Sequence, residues 1–169
     1  MMEGNRRNKP RALLVFGAPC SGKTTFAENF AAKFGLAFYD LNKIREEYGF
    51  SRETILAVLE LISRTGQTFL IEGELDTEKD RIEIRNVLRE HGYEPSLIWV
   101  QTDVATIRNR LKARHHSVAK AKTAYDEAVE AIEAPTETER PIILSGKHTF
   151  DTQTRHVLAG LADLVDTKK

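Results

Sequence analysis

Five short apolar runs divide the chain, and segments with helical periodicity separate them. Each run is continuously hydrophobic rather than alternating, as is typical of strands covered on both faces of a sheet. Their sequences are ALLVFG (12–17), LAFYD (36–40), TFLIEG (68–73), SLIWVQT (96–102) and PIILSG (141–146). Strands that alternate with helices in this way predict right-handed βαβ units and a mostly parallel sheet of five strands. The pattern therefore indicates an α/β fold.

Polar residues and glycines mark where the intervening helices begin and end. Phe26, Phe30 and Phe34 fall on one face of the first helix, which predicts that this face meets the sheet. A second helix is expected to begin at Asn42, directly after the strand that ends in Asp40. Further start and stop signals occur at Gly35, Ser51, Gly66, Thr77 with Asp80, and His91 with Gly92.

Length and composition narrow the class of protein. The 169 residues suit one domain, expected over residues 11–166, and residues 1–10 are expected to form a flexible tail. Basic and acidic residues number 25 each, so no overall field attracts nucleic acid or an anionic membrane. A single cysteine, Cys20, excludes an internal disulfide and fits a reducing compartment. With neither a membrane-span pattern nor a signal peptide, we expect a cytoplasmic protein.

The segment GAPCSGKT, residues 17 to 24, matches the phosphate-binding pattern G-x-x-x-x-G-K-[ST] and lies between a predicted strand and a predicted helix. Its two glycines permit a loop whose N–H groups converge on phosphate oxygens. Lys23 is then expected to reach the β- and γ-phosphates, and Thr24 to coordinate Mg²⁺. The predicted ligands are ATP and Mg²⁺, and the predicted nucleotide-binding residues are Gly17, Ala18, Pro19, Cys20, Ser21, Gly22, Lys23, Thr24 and Thr25.

Two classes of triphosphate-binding protein lack support in the sequence. GTPases read guanine through N-K-x-D, whereas Asn42-Lys43 is followed by Ile44 and Arg45. Motor ATPases carry a strand ending in Asp-Glu, and the nearest counterpart is Glu72 after FLI. A kinase is the remaining class.

Several segments after the phosphate loop carry a more specific resemblance. They read Asp40-Leu41-Asn42-Lys43-Ile44-Arg45-Glu46 after the second strand, Val100-Gln101-Thr102-Asp103 after the fourth, and Arg110…Arg114 on the helix that follows. From about Arg11 to Leu164 the chain resembles the small P-loop phosphotransferases, a group with polynucleotide 5′-kinases, zeta-toxin-like kinases, shikimate and gluconate kinases and antibiotic-modifying phosphotransferases. The resemblance implies a three-layer fold with strand order 2-3-1-4-5 and a short lid.

The resemblance also implies which residues meet the acceptor. Polynucleotide-kinase-like members have D-x-x-R-E after the second strand, with the Asp facing the acceptor and the Arg gripping substrate, and those positions are Asn42 and Arg45. Shikimate-kinase-like members have D-x-D there, with the first Asp near Mg²⁺, and those positions are Asp40 and Asn42. Both alignments place an amide at residue 42. Glu72-Gly73-Glu74-Leu75, after the third strand, departs from the group's usual turn and argues against shikimate kinase itself.

In members of the group, the arginines at the positions of Arg110 and Arg114 border a mobile lid. The resemblance places this lid at residues 115–124. Val104, Ile107 and Leu111 form the apolar stripe of this predicted helix, and Arg114 continues it. An arginine on an apolar stripe is costly unless it meets an anion. A structural carboxylate is the alternative partner for Arg114.

Three hypotheses remain for the residue that activates the acceptor. Asp40 ranks first as base, and also as metal ligand with Thr24, because it ends a strand where ligands of open α/β sheets bind. Glu72 or Glu74 is the second candidate. In the third hypothesis, the protein is an ATP-binding regulatory module or a weak ATPase, because Asn42 stands at the acceptor-facing position and cannot accept a proton. The side chain of Asn42 is otherwise interpreted as a helix N-cap.

The expected activity is transfer of the γ-phosphoryl group from ATP to a hydroxyl. Asn42, Arg45 and Glu72 are the predicted acceptor-binding residues, and Lys23, Asp40, Arg110 and Arg114 the predicted catalytic ones. A small molecule is favoured over a nucleic-acid end, because the basic stretch before Tyr125 contains no aromatic residue for stacking. We expect a monomer or a weak dimer.

Overall fold

The structure, a computed structural model, describes residues 9–115 and 118–166. The described strands are β1 (Arg11–Phe16), β2 (Ala37–Asp40), β3 (Phe69–Glu72), β4 (Glu94–Gln101) and β5 (Ile142–Ser145). The described helices are α1 (Lys23–Phe34), α2 (Leu41–Tyr48), α3 (Arg52–Ser63), α4 (Glu78–Glu90), α5 (Val104–His115), α6 (Val118–Ala131) and α7 (Phe150–Asp166), with a 3₁₀ turn at Glu137–Glu139. None of these helices combines the length and apolar character needed to cross a bilayer.

The five strands form one parallel sheet in the order β2-β3-β1-β4-β5. This confirms the predicted fold class and strand order. The central strand β1 pairs with β3 on one side, with Leu14 opposite Ile71, and with β4 on the other. Since the strands are parallel, all their carboxyl ends meet at one edge of the sheet, where the loop after β1 leads into α1. That edge is where open α/β sheets bind ligands.

Helices cover both faces of the sheet. Alternate residues of β1 point to opposite sides, so Leu14 joins a core with α3 and α4 while Leu13 joins one with α1 and α7. Phe26 and Phe30 are buried in the second core, as predicted, but Phe34 is 40% exposed near the end of α1, where its ring contacts that of Phe30. The three-layer arrangement is thus confirmed, with helices packed on both faces of the sheet.

Candidate active site

The loop from Gly17 to Gly22 connects β1 to α1. Gly17 adopts φ +152°, and a Cβ there would lie 2.3 Å from the carbonyl oxygen of Val100, so the approach of this backbone requires glycine. Gly22 is in the left-handed region at φ +100° and precedes Lys23, the first residue of α1. The loop therefore delivers Lys23 and Thr24 to the N-terminal end of a helix, where the helix dipole favours an anion.

Neighbouring segments hold the carbonyl groups of this loop. Thr102 donates to the carbonyl oxygen of Ser21 at 2.8 Å, and Arg110 donates through Nη1 to that of Cys20 at 2.9 Å. Gly146 packs so closely that a Cβ there would lie 2.0 Å from the Ser21 oxygen. The strand ends of β4 and β5 thus form a support behind the loop.

Glu72, the last residue of β3, lies beside the phosphate loop. Its side chain is almost fully buried, and Oε1 accepts a hydrogen bond from the Thr24 hydroxyl at 2.7 Å and lies 3.7 Å from Lys23 Nζ. The second oxygen, Oε2, is buried and accepts no hydrogen bond from the described residues. Burial raises the pKa of this carboxyl, although Lys23 and the Thr24 hydroxyl act in the opposite direction. Glu72 is therefore a carboxylate with one oxygen still unsatisfied.

The oxygens around Thr24 suit Mg²⁺, which prefers hard oxygen ligands and uses few protein groups beside substrate phosphates. The hydroxyl of Thr24 and the unsatisfied Oε2 of Glu72 are such ligands. Asp40, predicted as the partner of Thr24, pairs with Glu72 in strand register, and its charge raises the pKa of Glu72 as a minor contribution. The structure brings Glu72, rather than Asp40, into hydrogen-bond contact with Thr24.

Asp40 and Asn42 have different structural roles from those expected. Asp40 is the N-cap of α2, and its Oδ1 accepts a hydrogen bond from the backbone N–H of Lys43 at 3.0 Å. The interpretation of Asn42 as N-cap is therefore wrong, because the cap of α2 lies two residues earlier, at Asp40. Asn42 instead accepts a hydrogen bond from the backbone N–H of Glu74 at 3.1 Å, and a Cβ on Gly73 would lie 2.7 Å from its Cγ. Asn42 thus fixes the loop that follows β3.

Arg45, expected to grip substrate, is bound to that same loop. Its Nη1 donates to Oε1 of Glu74 at 2.8 Å, and half of its side chain stays exposed. Arg52, which sequence reasoning missed, donates to the other oxygen of Glu74 at 2.7 Å. Glu74 is buried and adopts φ +57°, an uncommon conformation for a residue other than glycine. Two guanidinium groups therefore satisfy the charge of Glu74.

The arginines of α5 are only partly described. Arg110 lies against the phosphate loop through its bond to Cys20, whereas the side chain of Arg114 and residues 116–117 of the predicted lid lie outside the described residues. Ile107 and Leu111 are buried as predicted, but Val104 is exposed.

A cavity of about 610 Å³ opens beside the phosphate loop. Its size is that of a typical ligand pocket. Its walls include Lys23, Thr24, Glu72, Arg110 and, from the segment after β5, His148. The structure thus brings together the predicted phosphate-binding lysine and threonine with Glu72 and Arg110.

Asp76 and Arg81 are two further residues that sequence reasoning missed. Arg81 is completely buried, donates from Nε and Nη2 to the two carboxylate oxygens of Glu139, and stacks 4.9 Å over the ring of Phe16. Its Nη1 donates to the backbone carbonyls of Leu75 and Asp76. The capping box that begins α4 was the only nearby sequence signal that could have drawn attention to these two residues. Arg81 links the end of β1 to the loop after β3.

Comparison with known proteins places this architecture in context. A profile of the protein family described as an AAA domain matches residues 13–138. Curated proteins include no significant match to the sequence. Among solved structures, a gluconokinase from Sinorhizobium meliloti 1021 superposes with a TM-score of 0.69 at 17% identity, over 95% of this chain and 97% of that one.

Two other solved structures were determined with nucleotides or their analogues. The APS kinase of Mycobacterium tuberculosis in complex with AMPPNP and APS has a TM-score of 0.60 at 18% identity, over 91% of this chain and 98% of that one. Chaetomium thermophilum Kti12 in complex with ADP-AlF3 has a TM-score of 0.65 at 16% identity, over 90% and 97%. The likeness to these proteins lies in the fold, and it confirms the predicted resemblance to the small P-loop kinase-like group.

Proposed function

The chain belongs to the AAA-domain family, and on that premise we propose that it is an ATP-dependent kinase that phosphorylates a hydroxyl group of a small molecule. The observation that carries the proposal is the cavity at the phosphate loop, where Glu72 contacts both Thr24 and Lys23 and Arg110 also lines the wall. Phosphoryl transfer depends mainly on positioning and on neutralising charge, which these groups supply.

Each group has a distinct task in this proposal. The N–H groups of the loop bind the β-phosphate oxygens, and Lys23 binds the oxygens of the phosphate that is transferred. Arg110, already held against the loop, stabilises the negative charge that spreads over the transferring group. Mg²⁺, held by Thr24 and Glu72, would supply further charge neutralisation between the phosphates.

The charges at the acceptor side favour a small molecule over a nucleic-acid end. Asp40, Glu72, Glu74 and Asp76 all lie at or just beyond the ends of β2 and β3. The guanidinium groups of Arg45 and Arg52 are bound to Glu74, and that of Arg81 is bound to Glu139 and to backbone carbonyls of this loop. A polyanion needs unpaired cations along its backbone. An uncharged alcohol has no such requirement.

Binding and transfer are tested in sequence. Calorimetry with Mg·AMPPNP should show binding by the wild type and a loss of about 100-fold in affinity for Lys23→Ala, because a charged hydrogen-bond donor to phosphate is removed. Lys33→Ala, on the exposed side of the same helix, is the matched control and should bind normally. Equal affinity in the two variants would remove the phosphate loop from the proposal.

The second step measures ADP release in the presence of a panel of alcohols with neutral, anionic and cationic groups. Stimulation by a neutral alcohol supports the kinase proposal. Tight binding of Mg·AMPPNP with no stimulation by any member of the panel would favour the alternative, an ATP-binding regulatory module.

A further inference from the structure

Another cavity, of about 520 Å³, lies at the opposite edge of the sheet from the phosphate loop. Its walls include Glu94, which begins β4, together with Lys9, which lies just before β1, and Arg140, which lies just before β5. Because the strands are parallel, their amino ends share one edge and the phosphate loop occupies the other. A ligand of this cavity is therefore separate from any ligand of the phosphate loop.

Positive charge exceeds negative charge in the walls of this cavity. The cationic side chains that line it are Lys9, Arg85, Arg89 and Arg140. The carboxylates that line it are Glu94 and Glu139, and Arg81 already binds both oxygens of Glu139. Even when Arg140 and Glu94 are counted as balancing each other, three cations remain in excess. Such an excess in a concave site attracts an anion.

The guanidinium group of Arg85 is largely buried, yet no described residue accepts a hydrogen bond from it. Its side chain is 15% exposed, and Nη1 lies 4.0 Å from Oε1 of Glu139, too far for a hydrogen bond. Its Nε is fully buried and has no partner among the described residues. Burial, and then the charge of Arg89, lower the pKa of Arg85, and the charge of Glu139 opposes them only in part. Buried charges are normally paired, so Arg85 lacks a counterion that a bound anion would supply.

The spacing of the arginines on α4 adds to this imbalance. Arg81, Arg85 and Arg89 recur every four residues, which places them on one face of the helix, where like charges repel. Glu139 neutralises Arg81, whereas the described partner of the Arg89 guanidinium is the uncharged amide oxygen of Asn86, at 3.5 Å. Two neighbouring arginines of this face therefore line the cavity without a bound carboxylate.

We propose that this cavity binds a small organic anion with at least two negative charges, a phosphate monoester or a polycarboxylate. Arg85 and Arg89 bind its oxygens, because a guanidinium fork matches both phosphate and carboxylate. The hydroxyl of Ser96, in the same wall, is buried and has no partner among the described residues. Leu97 and Leu164 add apolar surface for the body of the ligand. The site does not depend on the proposed kinase function.

Thermal melting of the full chain tests the site with two probes, phenyl phosphate and tricarballylate, each compared with NaCl at equal ionic strength. A ligand that binds only the folded state raises the melting midpoint in a saturable way. In Arg85→Met the half-saturating concentration should increase by about 10-fold or more, because charge-assisted hydrogen bonds to the anion are lost. Arg155→Met makes the same chemical change at an exposed position of α7 and should respond as the wild type does.

Two further variants keep the test decisive. Lys23→Ala should retain the saturable rise, and its loss there would place the anion at the phosphate loop and overturn the inference. Arg89 is exposed, so Arg89→Met should fold and weaken binding even if Arg85→Met does not fold. A rise with one probe alone supports the site and identifies the charged group that it prefers. The absence of a saturable rise with both probes, or an equal rise in the wild type and the Arg89→Met variant, overturns the inference.

Discussion

The proposed nucleotide side and the proposed acceptor side of this cleft are built in different ways. On the nucleotide side, residues 17–24 are contiguous, and the predicted Lys23 and Thr24 stand at the N-terminal end of α1. On the acceptor side, Asn42 and Glu74 are 32 residues apart yet bonded to each other, and Arg45 and Arg52 converge on Glu74 from different helices. A contiguous backbone motif can be recognised in a sequence. The roles of clustered charged residues cannot be assigned until the partner of each side chain is known.

Arg81 joins the two sides, and its replacement should have the largest effect on the whole molecule. Arg81→Met leaves Glu139 buried without its bidentate partner, and breaking a buried ion pair in this way costs about 3–5 kcal/mol. Urea unfolding measures this loss. The double variant Arg81→Met/Glu139→Leu should recover part of the stability, because neither member of the buried pair is then left without the other, although Arg85 loses a carboxylate 4.0 Å away.

The pH dependence of the same variant gives an independent check. Burial opposes ionisation of Glu139, but hydrogen bonds from Arg81 and from the N–H of Thr136 hold the pKa of this carboxyl below its usual value. A lowered pKa in the folded state contributes stability above the unfolded pKa, and that stability is lost as the pH falls through the folded value. The difference between wild type and Arg81→Met should therefore narrow in acid. A difference that stays constant down to pH 3 would contradict this account.

Glu72→Gln should separate stability from function on the nucleotide side. Because burial raises the pKa of Glu72, the charged form is disfavoured in the folded state, and ligand-free stability declines as the pH rises through that raised pKa. Glutamine keeps the acceptor for Thr24 without the charge. We expect the variant to gain about 1 kcal/mol of stability at neutral pH while losing Mg²⁺-dependent nucleotide affinity, a common trade-off at functional sites.

Thermal melting between pH 5 and 8 without ligand, combined with calorimetry, measures both effects. Glu90→Gln, on the exposed end of α4, is the control and should change neither. A loss of stability in Glu72→Gln at neutral pH would show that the ion pair with Lys23 outweighs the cost of burial.

Asn42→Asp and Asp40→Asn should have the smallest effects, and they test which residue faces the acceptor. Aspartate at 42 keeps an acceptor for the N–H of Glu74, and asparagine at 40 is as good a cap as aspartate. We expect each variant to remain within about 1 kcal/mol in stability and within about 3-fold in ATP hydrolysis. A gain of 10-fold in Asn42→Asp would place the acceptor-facing position at residue 42, and its present amide would then be what limits turnover.

The sequence by itself determined the α/β class, the five strands and the phosphate loop, because hydrophobic runs and glycine-dependent backbone geometry are local properties. The strand order came from resemblance to a family, since it depends on which strands pair. Only the tertiary structure decided the roles of Asp40, Asn42, Glu72 and Asp76. A side chain of one type can cap a helix, accept a hydrogen bond from a distant residue or have no hydrogen-bond partner. Those roles depend on contacts between segments far apart in the chain, such as Thr24 with Glu72 and Asp76 with Glu133, and no local pattern records them.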